Sequence, residues 1–409
     1  MRLLLLGLNY APEPVGIAVY TSGLAEALAE RGHEVRVIAG NPYYPQWRLH
    51  DGYRQAVTTR RENGVAVTRV PHYIPAQPSG ARRIAHHASF AASLYRPALA
   101  AAARGADMVL AVAPSLLSVP VAARAARRAG APLWLHIQDF EVEAAFAMGL
   151  MPAQASLSRL AAAAERRVLA MADLLSTISP QMCARLAEKG IPPQRIVELR
   201  NWYNPAFDFT HADDSTYRAQ WQLGNRHVAL YSGNIANKQG LDTVIAAARL
   251  LAAREDIVFV ICGEGPNRAR LENQAQGLAN VQFHDLQPAE RMADFLSLAS
   301  AHLLPQVAGA ADLVLPSKLA NMLASGRPVV ATAVSGSGLH AEVEGCGLTT
   351  RPGDAAALAD AVIRLVADAA LRDRLGAQGR ARAHQRWSRA AIVERMERQA
   401  LDLVRTGRR

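Results

Sequence analysis

Residues 312–331, DLVLPSKLANMLASGRPVVA, decide the fold. The apolar run 312–315 reads as a short buried strand, Pro316-Ser317-Lys318 follows, a helix closes at Gly326, and Pro328 opens a second apolar run. A strand that delivers a hydroxyl and an ammonium to the start of a helix makes an anion site, because the first helical turn presents backbone N–H groups with no intrahelical partner. A diphosphate suits such a corner. Ser317 and Lys318 are its best ligands, and Asn321, one turn on, is placed to hydrogen-bond ribose hydroxyls.

The same strand–loop–helix grammar runs upstream from residue 227. HVALYSGNI, a turn, LDTVIAAARLLAAR and IVFVICGEG follow one another, and VQFHDL (281–286), AHLLPQ (301–306) and PVVAT (328–332) read as further strands. The first forty residues repeat the pattern: LLLLGL as a strand, the loop NYAPEPVGIA, the amphipathic helix YTSGLAEALAERG closed by Gly32, and HEVRVIAG as a second strand. Buried strands also fit 108–112, 133–137 and 174–179, and helices fit 90–104, 116–129 and 154–171. Strands alternating with helices imply parallel, doubly wound sheets.

The expected organisation is therefore α/β, with two tandem Rossmann-like domains facing a central cleft. Residues 1–200 form the first, 201–226 (aromatics, Pro, Asn and Asp) a linker, 227–385 the second, and 386–409 a basic amphipathic helix packing back on the first. The period is far too long for a simple repeat array. Ligands in open α/β sheets bind beyond the carboxyl ends of the strands, so the loops that follow strands carry the chemistry.

Composition agrees. At 409 residues the chain exceeds one ordinary core, and half its residues are apolar with a fifth charged, a globular balance. It contains no uncharged apolar stretch of about 18 residues, so no membrane span is expected. MRLLLLGLNY resembles a signal peptide but lacks a cleavage site and reads as the first strand. Cys183, Cys262 and Cys346 are isolated, which fits reduced thiols in a cytoplasmic protein and argues against structural zinc. There is no D-x-D, no G-x-G-x-x-G and no G-x-x-x-x-G-K-[ST], so neither a metal cluster, a nicotinamide cofactor nor an ATPase is indicated, and no cofactor is expected.

A net charge of +10 favours anionic partners, the alternative being a merely solvating surface. Nucleic acid, phosphorylated metabolites and an anionic membrane face all fit that charge, but a nucleic-acid binder would need basic residues interleaved with exposed aromatics on one face, and aromatics are only 6%.

Four other post-strand loops stand out. In NYAPEPVGIAVYT, Gly16 lets backbone N–H groups approach a phosphate or sugar, unless the loop is an ordinary βα turn. In HIQDFEVEAA, His136, Asp139, Glu141 and Glu143 could hold or orient a sugar hydroxyl, or Asp139 could simply cap a helix. In YSGNIANKQGLD, Gly233, Asn234 and Lys238 make a diphosphate clamp. In CGEGPNRARLE, Gly263 and Gly265 turn tightly, with Glu264 placed to accept from a ribose or base. Leu286, at the end of VQFHDL, completes the substrate-binding set, and the Glu264–Glu272 spacing of eight reads as coincidence.

Taken together, the P-x-x-x-G loop with LAEALAERGHEVRVIAG, GNIANKQGLD, ICGEGPNRARLE, PSKLANMLASGRPVVAT and GLTTRPGDAAALADAVIRLVADAALRDRLG resemble family 4 of the GT-B glycosyltransferases over nearly the full chain. The resemblance implies a retaining, metal-independent transferase. Its nucleotide-sugar donor, GDP- or UDP-linked, would lie on the C-terminal domain and its acceptor on the N-terminal domain. Within the family it implies synthesis of a colanic-acid-like exopolysaccharide on a lipid-linked glycan acceptor, with fucose one sugar to consider.

Carried over, Gly16 sits near donor phosphate and acceptor, His136 or Asp139 at the reacting face, and Lys238 with Ser317-Lys318 on the diphosphate. Two departures stand out: the second family glutamate is Asn321, with Leu313 eight residues earlier, and the usual arginine of the first phosphate loop is Asn234. They leave the lysines to neutralise the leaving group. They also keep open a non-catalytic nucleotide-sugar-binding protein, beside a GT-B nucleotide-sugar 2-epimerase. In PAQPSGARRIAHHASFAASLYRPALAAAARG, Arg82, Arg83, His86 and His87 precede Phe90, Leu94 and Tyr95, which suits peripheral contact with an anionic inner membrane face, or an ordinary helix with a solvated basic end.

Overall fold

The computed structural model describes residues 1–14, 16–77, 79–140, 155–236, 239–308 and 315–407, with only the backbone of 155–160. Two compact units divide the chain: Met1–Arg200 with Ile392–Arg409, and Asn201–Ala391.

Unit 1 is built on eight strands: β1 Arg2–Gly7, β2 Glu34–Gly40, β3 Thr58–Glu62, β4 Val65–Val70, β5 Met108–Ala113, β6 Leu133–Ile137, β7 Leu174–Thr177 and β8 Ile196–Glu198. Their order is β3-β4-β2-β1-β5-β6-β7-β8, parallel throughout except for the antiparallel pair β3–β4. The central strands are apolar runs because helices cover both faces, and Leu3 to Leu6 are fully buried. Sheet order reverses between β1 and β5, the switch point beside which such sheets bind ligands. The alternation expected over the first domain leaves out the β3–β4 hairpin, although Asn63-Gly64 signals it: both residues have positive φ, as a two-residue hairpin turn requires.

The helix Gly80–Ala103 buries Phe90, Leu94, Ala98, Ala101 and Ala102. It also buries His86 and His87, which corrects their assignment to an exposed basic end. Burial pushes His86 down to about 3, so it is neutral. The C-terminal helix Arg389–Gly407 buries Ile392, Val393, Met396, Ala400 and Val404 as one stripe. Glu397 on it accepts from Arg31 Nε at 2.6 Å and meets His33 Nε2 at 2.6 Å.

Unit 2 has six parallel strands: β9 His227–Ser232, β10 Ile257–Cys262, β11 Val281–His284, β12 Ala301–Leu304, β13 Val329–Thr332 and β14 Gly347–Thr350, in the order β11-β10-β9-β12-β13-β14. Its switch point lies between β9 and β12. Residues 201–226, expected as a linker, are layered on this unit: Tyr217, Trp221 and Leu223 join its core, and Trp221 stacks on His284 at 3.9 Å. Asp354 and Asp368 cap the helices Ala355–Ala367 and Ala369–Trp387 by accepting from Ala357 N and Leu371 N. No helix among the described residues is long and apolar enough to cross a membrane.

Met396 is fully buried on the C-terminal helix. Met396→Ala should cost about 2–4 kcal/mol in urea unfolding, and an unchanged midpoint would contradict the docking of this helix.

Candidate active site

In unit 2 the loops after β9 and β10 close on each other, backbone against backbone. Gly233, Gly263 and Gly265 have φ of 128°, 150° and 155°, where side chains are strained. A Cβ at Gly263 would collide with the Gly233 carbonyl, and one at Gly265 with the Ile235 carbonyl. The ladder continues past the strand ends through Gly233 N to Cys262 O at 2.9 Å and Ile235 N to Glu264 O at 2.8 Å.

Lys318 reaches this corner from the helix Lys318–Ala324. Its Nζ donates to Ser232 O at 3.0 Å, stands 4.0 Å from the centre of the Tyr231 ring, and lies 3.0 Å from where a Cβ of Gly233 would be. A carbonyl and a ring face thus help to fix where the ammonium stands. Tyr231 is itself fixed, its hydroxyl donating to Asn234 O at 2.6 Å.

The other expected ligands are distributed less simply. Ser317 is exposed and its side chain makes no cap hydrogen bond. Asn321 Oδ1 accepts from Asn204 N at 2.8 Å, so this side chain ties the 201–207 segment to the helix. Glu264 is exposed and pairs at 2.6 Å with Arg268, which also meets Asp285 and Glu272; Glu272 is thus a surface ion-pair partner. Leu286 is exposed on the loop after β11. Asn234 is exposed beside Gly233. Lys238, Leu313 and residues 312–314 of the strand expected over 312–315 lie outside the described residues, and Leu315 is not in a strand.

In unit 1, Gly16 precedes the helix Ile17–Glu30 with φ 70°. The loop before it is anchored by Glu13, which sequence reasoning missed. Glu13 is buried; its Oε1 accepts from Tyr43 N (2.9 Å) and Tyr44 N (3.1 Å), and its Oε2 from Asn9 Nδ2 (2.9 Å). Burial raises its pKa above the ordinary carboxylate value against the pull of these bonds. Its signal in the sequence was a lone carboxylate between Pro12 and Pro14.

His136 does not face open solvent. It is buried as the penultimate residue of β6, its Nδ1 2.9 Å from Ser176 Oγ and its Nε2 2.9 Å from Gln138 Nε2. Ser176 Oγ also accepts from Trp134 Nε1 at 2.7 Å. The ring therefore sits inside a hydrogen-bonded network, and burial pushes it down to about 4. Asp139 is exposed just beyond, while Glu141 and Glu143 lie outside the described residues. No group of three or more His, Cys, Asp or Glu among the described residues is placed to hold a metal ion.

Two doubly wound sheets, each with a glycine-turned loop at its switch point, make a two-domain Rossmann-like architecture of the GT-B kind, and the sequence relatives place the chain in that class. Residues 15–202 match the glycosyl transferase 4-like domain model and residues 226–368 the model for glycosyl transferases group 1. The chain belongs to family 4 of the GT-B glycosyltransferases.

It is 42% identical to the colanic acid biosynthesis glycosyl transferase WcaI of Escherichia coli (strain K12), over 81% of this chain and 83% of that protein. Among solved structures it resembles sucrose-phosphate synthase from Thermosynechococcus elongatus (TM-score 0.71, 22% identity, 99% of this chain and 100% of that one). It also resembles Anabaena HepE in complex with UDP (TM-score 0.67, 17% identity, 98% and 100%).

Gly263→Ala should destabilise unit 2 by about 2–3 kcal/mol, because a left-handed strained residue and a backbone clash coincide; thermal unfolding unchanged from the wild type would contradict this. Because the folded pKa of His136 lies below the ordinary 6.5, its stability contribution is present above that value and lost as pH falls towards about 4. The unfolding free energy from urea titrations should drop over that window, by up to about 3 kcal/mol for this residue, and more shallowly in His136→Gln.

Proposed function

We propose that this transferase moves a sugar, with retention and without a metal, from a nucleotide-diphosphate donor to a lipid-linked glycan acceptor in synthesis of a colanic-acid-like exopolysaccharide. The observation that carries the donor site is Lys318 Nζ held over Tyr231 against Gly233. An ammonium fixed beside a loop whose backbone is uncovered by side chains is suited to a leaving diphosphate. Lys238 and Ser317 join it in this reading. Gly263, Gly265 and Asn234 allow close approach of the donor, Glu264 and Asn321 lie towards the ribose, and Leu286 supplies an apolar contact for the base. Gly16 and Asp139 belong to the reacting face. His136, with both ring nitrogens engaged, acts there by positioning Gln138. GDP-fucose is the first donor to test, since the WcaI likeness points to colanic acid.

Peripheral contact with an anionic membrane is supported by the outer side of the helix Gly80–Ala103, where Arg82, Ile84, Tyr95 and Arg96 are exposed. The neighbouring helix Val119–Ala129 adds exposed Arg124, Arg127 and Arg128, and between residues 71 and 132 Asp107 is the only acid. The family's lost glutamates favour one second reading, a nucleotide-sugar binder without turnover.

Assayed with GDP- and UDP-sugars and a lipid-linked acceptor, the wild type should turn over at least one donor, and Lys318→Ala should lower kcat by about two orders of magnitude or more. Near-normal turnover in the variant would overturn the donor site; donor binding without turnover in the wild type would favour the binder. Ile84→Glu with Tyr95→Glu should weaken cosedimentation with phosphatidylglycerol vesicles, and unchanged binding would remove the membrane contact.

A further inference from the structure

Residues 41–47, directly after β2, carry three aromatic residues, and Glu13 holds two of them by their backbone. Tyr43 is buried and lends its hydroxyl to Asn9, whereas Tyr44 and Trp47 are half-buried. Their rings meet edge to face, Tyr43 with Trp47 at 5.3 Å and Tyr44 with Trp47 at 6.5 Å. Tyr44 Cε1 is the neighbour of Gly16: it lies 3.8 Å from where a Cβ of that glycine would stand. Trp47 is held at φ 53°, a left-handed backbone that a bulky side chain adopts only when its surroundings force it. The Arg83 guanidinium stands 5.9 Å from the Trp47 ring centre.

Strain at a tryptophan, a buried carboxylate bracing the adjacent residue, and contact with Gly16 coincide in one place. Core packing alone asks for none of these, because apolar side chains there could fill the space without strain. Half-buried aromatic rings pack well against the C–H faces of a pyranose, and the guanidinium over the Trp47 ring suits a glycan that carries an acidic or phosphate group.

We propose that Tyr44 and Trp47 form the platform on which a pyranose ring of the acceptor stacks, and that Glu13 is the positioning residue that keeps Tyr44 against Gly16. The inference rests on the glycosyltransferase reading above and adds the acceptor-selecting residues to it. Glu13 acts through the two backbone N–H groups it accepts, so Glu13→Gln, which keeps the size but weakens the acceptor, perturbs Tyr44 without removing it.

The test is steady-state transfer from whichever nucleotide sugar the wild type uses, with the acceptor varied. Tyr44→Ala and Trp47→Ala should each raise the acceptor KM by about tenfold while the donor KM holds, Tyr44→Phe and Trp47→Phe should restore it, and Glu13→Gln should raise it less. Circular dichroism confirms that each variant is folded. An unchanged acceptor KM in both alanine variants, or an equal rise in donor KM, overturns the platform. A wild type that uses no nucleotide sugar instead refutes the glycosyltransferase reading. In that case saturation-transfer NMR with octyl β-D-glucopyranoside and octyl β-D-galactopyranoside decides the platform: transfer lost in Tyr44→Ala supports it, and no transfer to the wild type overturns it.

Discussion

The corner after β9 and β10 depends on one steric constraint: the Gly233 carbonyl occupies the space that any side chain at residue 263 would need. Neighbouring parallel strands ordinarily diverge into separate loops. Here β9 and β10 stay paired past their ends, so two peptide planes lie where two side chains would otherwise fill the gap. That closeness brings Ser232 O and the Tyr231 ring within reach of Lys318, and so fixes where a positive charge stands relative to uncovered backbone. Glycine's conformational freedom is the cause, and the placement of charge is the consequence.

Unit 1 solves a related problem by a different route. Gly16 turns the loop, but the loop is pinned by a buried carboxylate rather than by backbone packing. A carboxylate out of water is tolerated because three N–H donors converge on it, and the same burial raises its pKa. Three buried histidines of this unit follow the same rule with opposite sign: burial pushes His72, His86 and His136 down to about 4, 3 and 4.

Much of the fold was legible because fully buried parallel strands are continuous apolar runs, and LLLLG, MVLAV, LWLHI and IVFVIC have little else they could be. The β3–β4 hairpin escaped because TTRRE is polar and half exposed, leaving only Asn63-Gly64 to mark it. Residues 201–226 read as a linker because turn residues dominate them, while the burial of Tyr217 and Trp221 depends on partners distant in sequence.

At the site, the glycines and Lys318 announced themselves by spacing after strands. Glu13 did not, since two of its three partners are backbone amides about thirty residues away. His136 looked reactive because a histidine at a strand end is ambiguous until Ser176 on β7 and Gln138 are seen to hold both of its nitrogens. Asn321, the residue where the chain leaves its family's pattern, acquires a structural task in holding Asn204.

The paired glycine loops and Lys318 should receive a nucleoside diphosphate, which amide hydrogen exchange with and without GDP or UDP reads out segment by segment. One of the two nucleotides should slow exchange at 233–236, 263–267 and 318–321 above all other segments. Full protection elsewhere, with these three segments unchanged, would contradict it.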